Sequence, residues 1–198
     1  MAFPSRGNVA IRPEEPRDRR AIFELNASAF PQPAEAKLVD ALRAANAATI
    51  SLVAEREGRV VGHILFSPVC VQGGRRDGRP TRSEPQASEV HRVGEGSSFV
   101  AQGLAPMAVD PDCQRDGIGS ALVRAGLDAC RRDRHPIVFV LGHADYYPRF
   151  GFELAASRGL QYEGGTGFAP VFFVAELEGG ALAGRTGVVH YHAAFAEL

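Results

Sequence analysis

The sequence predicts an α/β protein built on a mixed β-sheet, and three observations predict it. A β-rich run from Gly103 to Val109, a helical stretch from Gly117 to Arg132 and a continuous apolar run from Pro136 to Leu141 follow one another directly. Strand, helix and strand in immediate succession form a right-handed parallel crossover. Two further β-rich runs, Ile50 to Arg56 and Arg59 to Val71, flank Glu57-Gly58 and read as an antiparallel hairpin. Two amphipathic helical stretches precede that hairpin.

Taken in order, Asn8 to Pro13 puts Val9 and Ile11 on one face and reads as an opening strand before proline and acidic breakers. From Arg17 to Phe30, Ile22, Leu25 and Ala29 recur at helical spacing with Asp18 in the first turn, and the Pro31 to Pro33 break ends that helix. After Pro33, Leu38, Val39 and Leu42 make a second amphipathic helix that fades in Ala44 to Ala48. Beyond the hairpin, Gly73 to Ser98 mixes Gly, Arg, Pro, Ser and Glu with hardly any large apolar residue. That composition predicts a long mobile loop, its arginines forming a solvated charged linker or a basic contact surface. In the crossover helix Ile118, Ala121, Leu122, Ala125 and Ala129 share a face. Pro136 to Leu141 is short enough for a strand buried on both faces. Phe172 to Leu177 and Thr186 to Tyr191 supply the last two strand candidates.

Composition excludes several classes. The 198 residues, 45% hydrophobic and 23% charged, suit one domain spanning 1–198, and no apolar stretch approaches the ~18 residues of a membrane span. Met1 to Arg12 lacks the pattern of a secretory signal, and Cys70, Cys113 and Cys130 show no paired spacing for disulfides or zinc. A cytoplasmic protein is expected. With a net charge of -1, the broad attraction that nucleic-acid binding needs is absent at the whole-chain level.

The chemistry concentrates between Leu104 and Val123. A strand ends at Val109, Asp110-Pro111 turns the chain, and Gln114-x-x-Gly117-x-Gly119 opens the helix. The first N–H groups of a helix have no intrahelical partner and sit at the positive end of its dipole, so they bind phosphate oxygens. Glycines let those oxygens approach. The segment lacks Gly-Lys-Ser/Thr and GxGxxG, which sets aside the nucleoside triphosphate loop and the dinucleotide fold.

This Q-x-x-G-x-G segment after Met107-Ala108-Val109 resembles the acetyl-CoA motif of the GNAT superfamily. A second segment, Gly142-His143-Ala144-Asp145-Tyr146-Tyr147-Pro148-Arg149-Phe150-Gly151-Phe152, matches the same family through its Tyr-x-x-x-Gly-Phe spacing and is similar to a subgroup of small bacterial acetyltransferases. The resemblance implies a GNAT acyl-CoA N-acyltransferase fold: a twisted mixed sheet of six to seven strands with helices on both faces, split between the Met107 and Val138 strands. It implies acetyl-CoA as co-substrate and direct transfer to an amine, small molecule or protein, in a ternary complex. The pyrophosphate would lie on the amides around Gln114, Arg115, Asp116, Gly117, Ile118, Gly119 and Ser120. The pantetheine would pair with the edge of Met107, Ala108 and Val109, an amide of Ala108 or Val109 polarising the thioester carbonyl.

By the same resemblance Tyr147 lies near the CoA sulfur and is the expected general acid, with Tyr146 in reserve. The strand segment Leu-Ala-Pro-Met-Ala-Val lacks the family's frequent glutamate base, leaving His63 and His143 as candidate bases. A non-catalytic acyl-CoA sensor, or an acyltransferase using a longer acyl chain or a hydroxyl acceptor, is the alternative. His190 and His192 alternate like a metal pair with no third ligand evident, so no metal is expected. The apolar segment Val188 to Phe195 either completes the sheet or pairs with a second copy in a homodimer.

Overall fold

A computed structural model describes residues 8–73 and 98–197. Strand β1 (Val9–Pro13) leads through a short 3-10 turn into helices α1 (Arg19–Ala29) and α2 (Ala34–Ala44). The hairpin follows as β2 (Ile50–Arg56) and β3 (Arg59–Gly73), turning on Glu57 and Gly58, both at positive φ. Then come β4 (Phe99–Val109), α3 (Ile118–Arg132), β5 (Ile137–Leu141), β6 (Glu153–Leu154), β7 (Leu160–Tyr162), β8 (Phe172–Glu176) and β9 (Gly187–His190). The expected loop between Gly73 and Ser98 lies, apart from those two residues, outside the described residues.

The predicted elements form within a few residues of their expected bounds, and β4 begins four residues earlier, at Phe99. Among the described residues the sheet has nine strands rather than six or seven, in the order β1-β2-β3-β4-β5-β8-β6, with β9 bridging β3 and β7. The additions, β6 and β7, are two and three residues long, too short to carry a readable alternation. The pairs β4–β5 and β7–β9 are parallel and the others antiparallel.

Helices cover both faces. On one, Ile118, Leu122 and Leu127 of α3 pack on Ile64 and Phe66, each burial contributing roughly 1.5–3 kcal/mol. Close approach there depends on glycine: a Cβ on Gly62 would stand 2.9 Å from Ile118 and Leu122, and one on Gly126 only 2.5 Å from Cζ of Phe66. On the opposite face Ile22 of α1 and Leu38, Val39 and Leu42 of α2 close over Val53 and Leu65.

The sheet parts along one seam. Strand β4 pairs with β5 only at Gln102, Gly103 and Leu104, opposite Val138, Phe139 and Val140. From Ala105 onward β4 continues on β3 alone, after an irregular step in its register between Ile64 and Phe66. Pro106 has no N–H to offer a neighbour. The two strands therefore diverge and leave an open edge from Ala105 to Val109.

Candidate active site

The divergence opens a cleft of about 1000 Å³ that runs through the sheet from the N-terminus of α3 to the α1–α2 side. Its first wall is the loop before α3. Asp110 begins that loop by accepting the Asp112 N–H at 3.0 Å, the proline turn expected there. Arg115 (φ 65) and Gly117 (φ 82) then take left-handed backbone conformations on either side of Asp116. Gly117 is the N-cap of α3, and the helix's first turn carries no acidic residue, leaving its positive end uncompensated.

The second wall is the open edge of β4, and its hydrogen-bond register can be read directly. The Asp110 N–H donates to the Val61 carbonyl at 2.9 Å, so Asp110 and Val61 are a bonded antiparallel pair. Bonded and non-bonded pairs alternate, which gives Ala108–His63 to the bonded set and turns the backbone groups of Met107 and Val109 away from β3. The Val109 carbonyl accepts from Gln114 Nε2 at 3.3 Å, as that orientation requires. Ala108, expected as an alternative oxyanion donor, has its N–H committed to β3, and its side chain is buried.

Tyr147 lies deep in the cleft, 6% exposed. Its ring packs edge-on to Tyr146 and Phe152 at centroid distances of 5.2 and 5.6 Å, and fits only because residue 142 is glycine. Burial, with Tyr146 adding, raises its pKa above the ordinary phenol value, so the phenol stays protonated. Tyr146 points elsewhere: its Oη stands 2.8 Å from where a Cβ of Gly119 would be, at the start of α3. Arg149 holds it there, stacked 4.5 Å over the ring and donating through Nε to the Tyr146 carbonyl at 3.1 Å. Ser120 and His143 also line the cleft, His143 exposed at its rim.

Three expected residues, Ala108, Asp116 and His63, are absent from the cleft's lining. Asp116 accepts from Arg56 at 3.1 Å, which ties the loop to β2, and Ile118 is buried against Gly62 with only its edge on the cleft. His63 is fully buried under α1 and is absent from the lining. Asn26 Nδ2 donates to its Nδ1 at 3.2 Å, so Nε2 carries the hydrogen and donates to Ser51 Oγ at 3.0 Å; Ser51 in turn donates to Glu14, which pairs with Arg43 at 2.8 Å. Burial first, then Arg43, lowers its pKa to about 3. The carboxylate of Glu14, 3.9 Å away, is engaged by Arg43 and Ser51. His63 is a neutral core histidine, and its expected role as a base does not survive this placement.

The chain reproduces a known architecture. The family model of the acetyltransferase (GNAT) family matches residues 19–152. The chain belongs to that family. Relatives extend the likeness over nearly the whole GNAT chain. The uncharacterized N-acetyltransferase YhbS of Escherichia coli (strain K12) is 38% identical over 188 residues, 94% of this chain and 98% of that protein. A crystal structure of Escherichia coli YhbS in complex with CoA superposes with a TM-score of 0.80 at 35% identity, covering 99% of this chain and 96% of that one. A GNAT acetyltransferase from Brucella melitensis in complex with acetyl-CoA gives 0.68 at 33% identity, over 95% and 98%. This GNAT chain is accordingly an N-acetyltransferase by family.

Several cleft residues carried no readable signal in the sequence. Glu35, Tyr162, Phe168, Tyr191 and Phe195 come from α2 and from the chain after β6, and meet only through the tertiary fold. His190 and His192, read as a possible metal pair, instead bond to Glu163 (2.9 Å) and the Ala194 N–H (3.2 Å).

Proposed function

We propose that the chain binds acetyl-CoA in the β4–β5 cleft and transfers the acetyl group directly to an amine. The observation that carries this reading is the alignment of an open strand edge, Met107 and Val109, with the uncapped positive end of α3 across one cleft. The residues fit such a group: left-handed Arg115 and Gly117 leave amides for a pyrophosphate, with open space around Gly117. The complexes of the two relatives with CoA and acetyl-CoA support the same ligand class.

Acetyl-CoA supplies the activated acyl carbon: the amine nitrogen bonds to that carbon as the C–S bond breaks, and the sulfur leaves with the electron pair as a thiolate. The Val109 N–H, turned to the open edge, is assigned to the thioester oxygen, where developing negative charge strengthens a preorganised hydrogen bond. Tyr147 donates toward the sulfur. Its raised pKa keeps it a persistent hydrogen-bond donor that steadies the departing thiolate, never a base. Tyr146 and Arg149 are assigned to the cofactor's phosphate end. Of the two histidines His143 alone lines the cleft, and we assign it to accept the proton the amine loses.

Calorimetric titration tests the cofactor assignment. Wild type should bind acetyl-CoA and CoA with about micromolar Kd, near -8 kcal/mol. Gly117→Trp puts a bulky L-residue at φ 82 inside the cradle and should abolish that binding. Wild type without affinity for either ligand would overturn the reading.

A further inference from the structure

The half of the cleft facing away from α3 is lined differently from the cofactor half. Tyr162 joins Phe168 at 5.1 Å and Tyr191 at 5.7 Å, and Tyr191 joins Phe195 at 4.9 Å, so four rings make one continuous wall. Phe195 packs against the apolar face formed by α1 and α2, which closes the wall onto the helix that carries Glu35.

Tyr191 is set at the base of the divergence by a glycine. A Cβ on Gly103 would stand 2.6 Å from Cε1 of Tyr191, so the ring lies flat on β4 two residues before the strands part. Its ring edge borders the cleft, yet the hydroxyl is enclosed and has no hydrogen-bond partner among the described residues. An enclosed phenol without a partner forgoes the interactions it had in water. Burial, then Tyr162, Tyr147 and Glu163, raises its pKa, so it too remains a neutral donor and acceptor.

Charge on this wall has one sign. Glu35 lines the cleft in the first turn of α2, and its carboxylate has no hydrogen bond or ion pair among the described residues. The two arginines in the described lining, Arg115 and Arg149, belong to the phosphate loop and to the stack on Tyr146 at the opposite end. Aromatic faces and a free carboxylate attract an alkylammonium and disfavour a carboxylate.

Resting on the acetyltransferase reading, we propose that the acceptor is an aliphatic diamine. Its reacting nitrogen lies at the divergence beside the Tyr191 ring, its methylene stem runs along the Tyr162–Phe195 wall, and its second ammonium pairs with Glu35. A neutral amine nitrogen takes the acetyl group and loses one proton. The product keeps the distal charge.

The test compares α,ω-diamines of three to six carbons with the matching alkyl monoamines and ω-amino acids, following CoA thiol release, and in parallel titrates each compound into protein saturated with CoA. At least one diamine should exceed its monoamine and its ω-amino acid by about tenfold in kcat/KM and bind the CoA complex most tightly. Glu35→Gln should erase that preference by raising KM for the diamine. Equal or better use of monoamines or ω-amino acids, a preference unchanged in Glu35→Gln, or no diamine binding to protein that holds CoA would each overturn the proposal and leave the cofactor reading standing. Failure to bind CoA at all would overturn the cofactor reading itself.

Discussion

Gly142→Ala isolates the placement of Tyr147 from its chemistry. A Cβ at residue 142 would stand 2.9 Å from Cδ2 and 3.1 Å from Cζ of the Tyr147 ring, with Cε2 closer still, where ordinary contact is 3.4–4 Å. The backbone at 142 is not in the left-handed region, so alanine is conformationally acceptable and the whole effect falls on the ring. The ring is wedged between Tyr146, Phe152 and Phe173, and must withdraw by roughly an ångström into a packed neighbourhood, an overpacking cost of about 1–3 kcal/mol. A displacement of that size at a proton donor lowers the rate about 10²-fold. Urea denaturation reads the first quantity and thiol release at saturating acetyl-CoA reads the second. Tyr147→Phe keeps the ring and removes the hydroxyl, and should lower kcat by about 10²–10⁴-fold. If the alanine acts through that hydroxyl, the double variant is no slower than Tyr147→Phe alone. A further hundredfold loss in the phenylalanine background, or full activity in Gly142→Ala, would refute the reasoning.

Particular contacts set the other expected outcomes. Gln114→Leu removes the donor to the Val109 carbonyl, a bond of about 0.5–1.5 kcal/mol, and should weaken CoA binding about two- to tenfold by calorimetry with little change in the urea midpoint. Gly126→Ala gains about 0.5–1 kcal/mol of helix propensity but drives a Cβ into fully buried Phe66; overpacking at about 1–3 kcal/mol wins, and the urea midpoint should fall. His63 has a folded pKa near 3 against an ordinary 6.5, so the unfolded chain binds the extra proton between those values. The stability it confers is complete above 6.5 and lost as pH falls toward 3, with a slope of up to about 1.4 kcal/mol per pH unit. Asp18, held near 2 chiefly by its hydrogen bond to Arg12, adds its own loss only below its ordinary 3.8, so His63→Asn should flatten the profile between 6.5 and 4 and leave the lower limb.

How much of this was legible depends on whether recognition runs through backbone or side chain. The α3 loop announces itself because left-handed conformations and close approach select glycine, and because a helix N-terminus has a fixed place relative to the strand before it. Gly117 and Gly119 could therefore be singled out from spacing as a helix-opening turn, whereas the ligand assigned to that turn came from the family resemblance. The hairpin at Glu57-Gly58 and the parallel crossover were legible for the same local reason. His63 misled because a histidine on a central strand reads identically whether its ring faces a cleft or a core. Only the partners Asn26 and Ser51, 37 and 12 residues away, decide which.

The aromatic wall sits at the other extreme. Tyr162 ends β7, Tyr191 follows β9 directly, and Phe168 and Phe195 lie in 3-10 turns, with no period relating one to the next. What joins them is β9, which pairs with β3 at Cys70–Gly73 on one side and with β7 on the other, carrying Tyr191 back across the sheet to Gly103. Such a wall can change one ring at a time without disturbing a strand register or a helix cap. The loop before α3 is tied instead to its main-chain conformation at Arg115 and Gly117. On the acetyltransferase reading, the acceptor is therefore to be read from this wall and Glu35 rather than from the loop before α3.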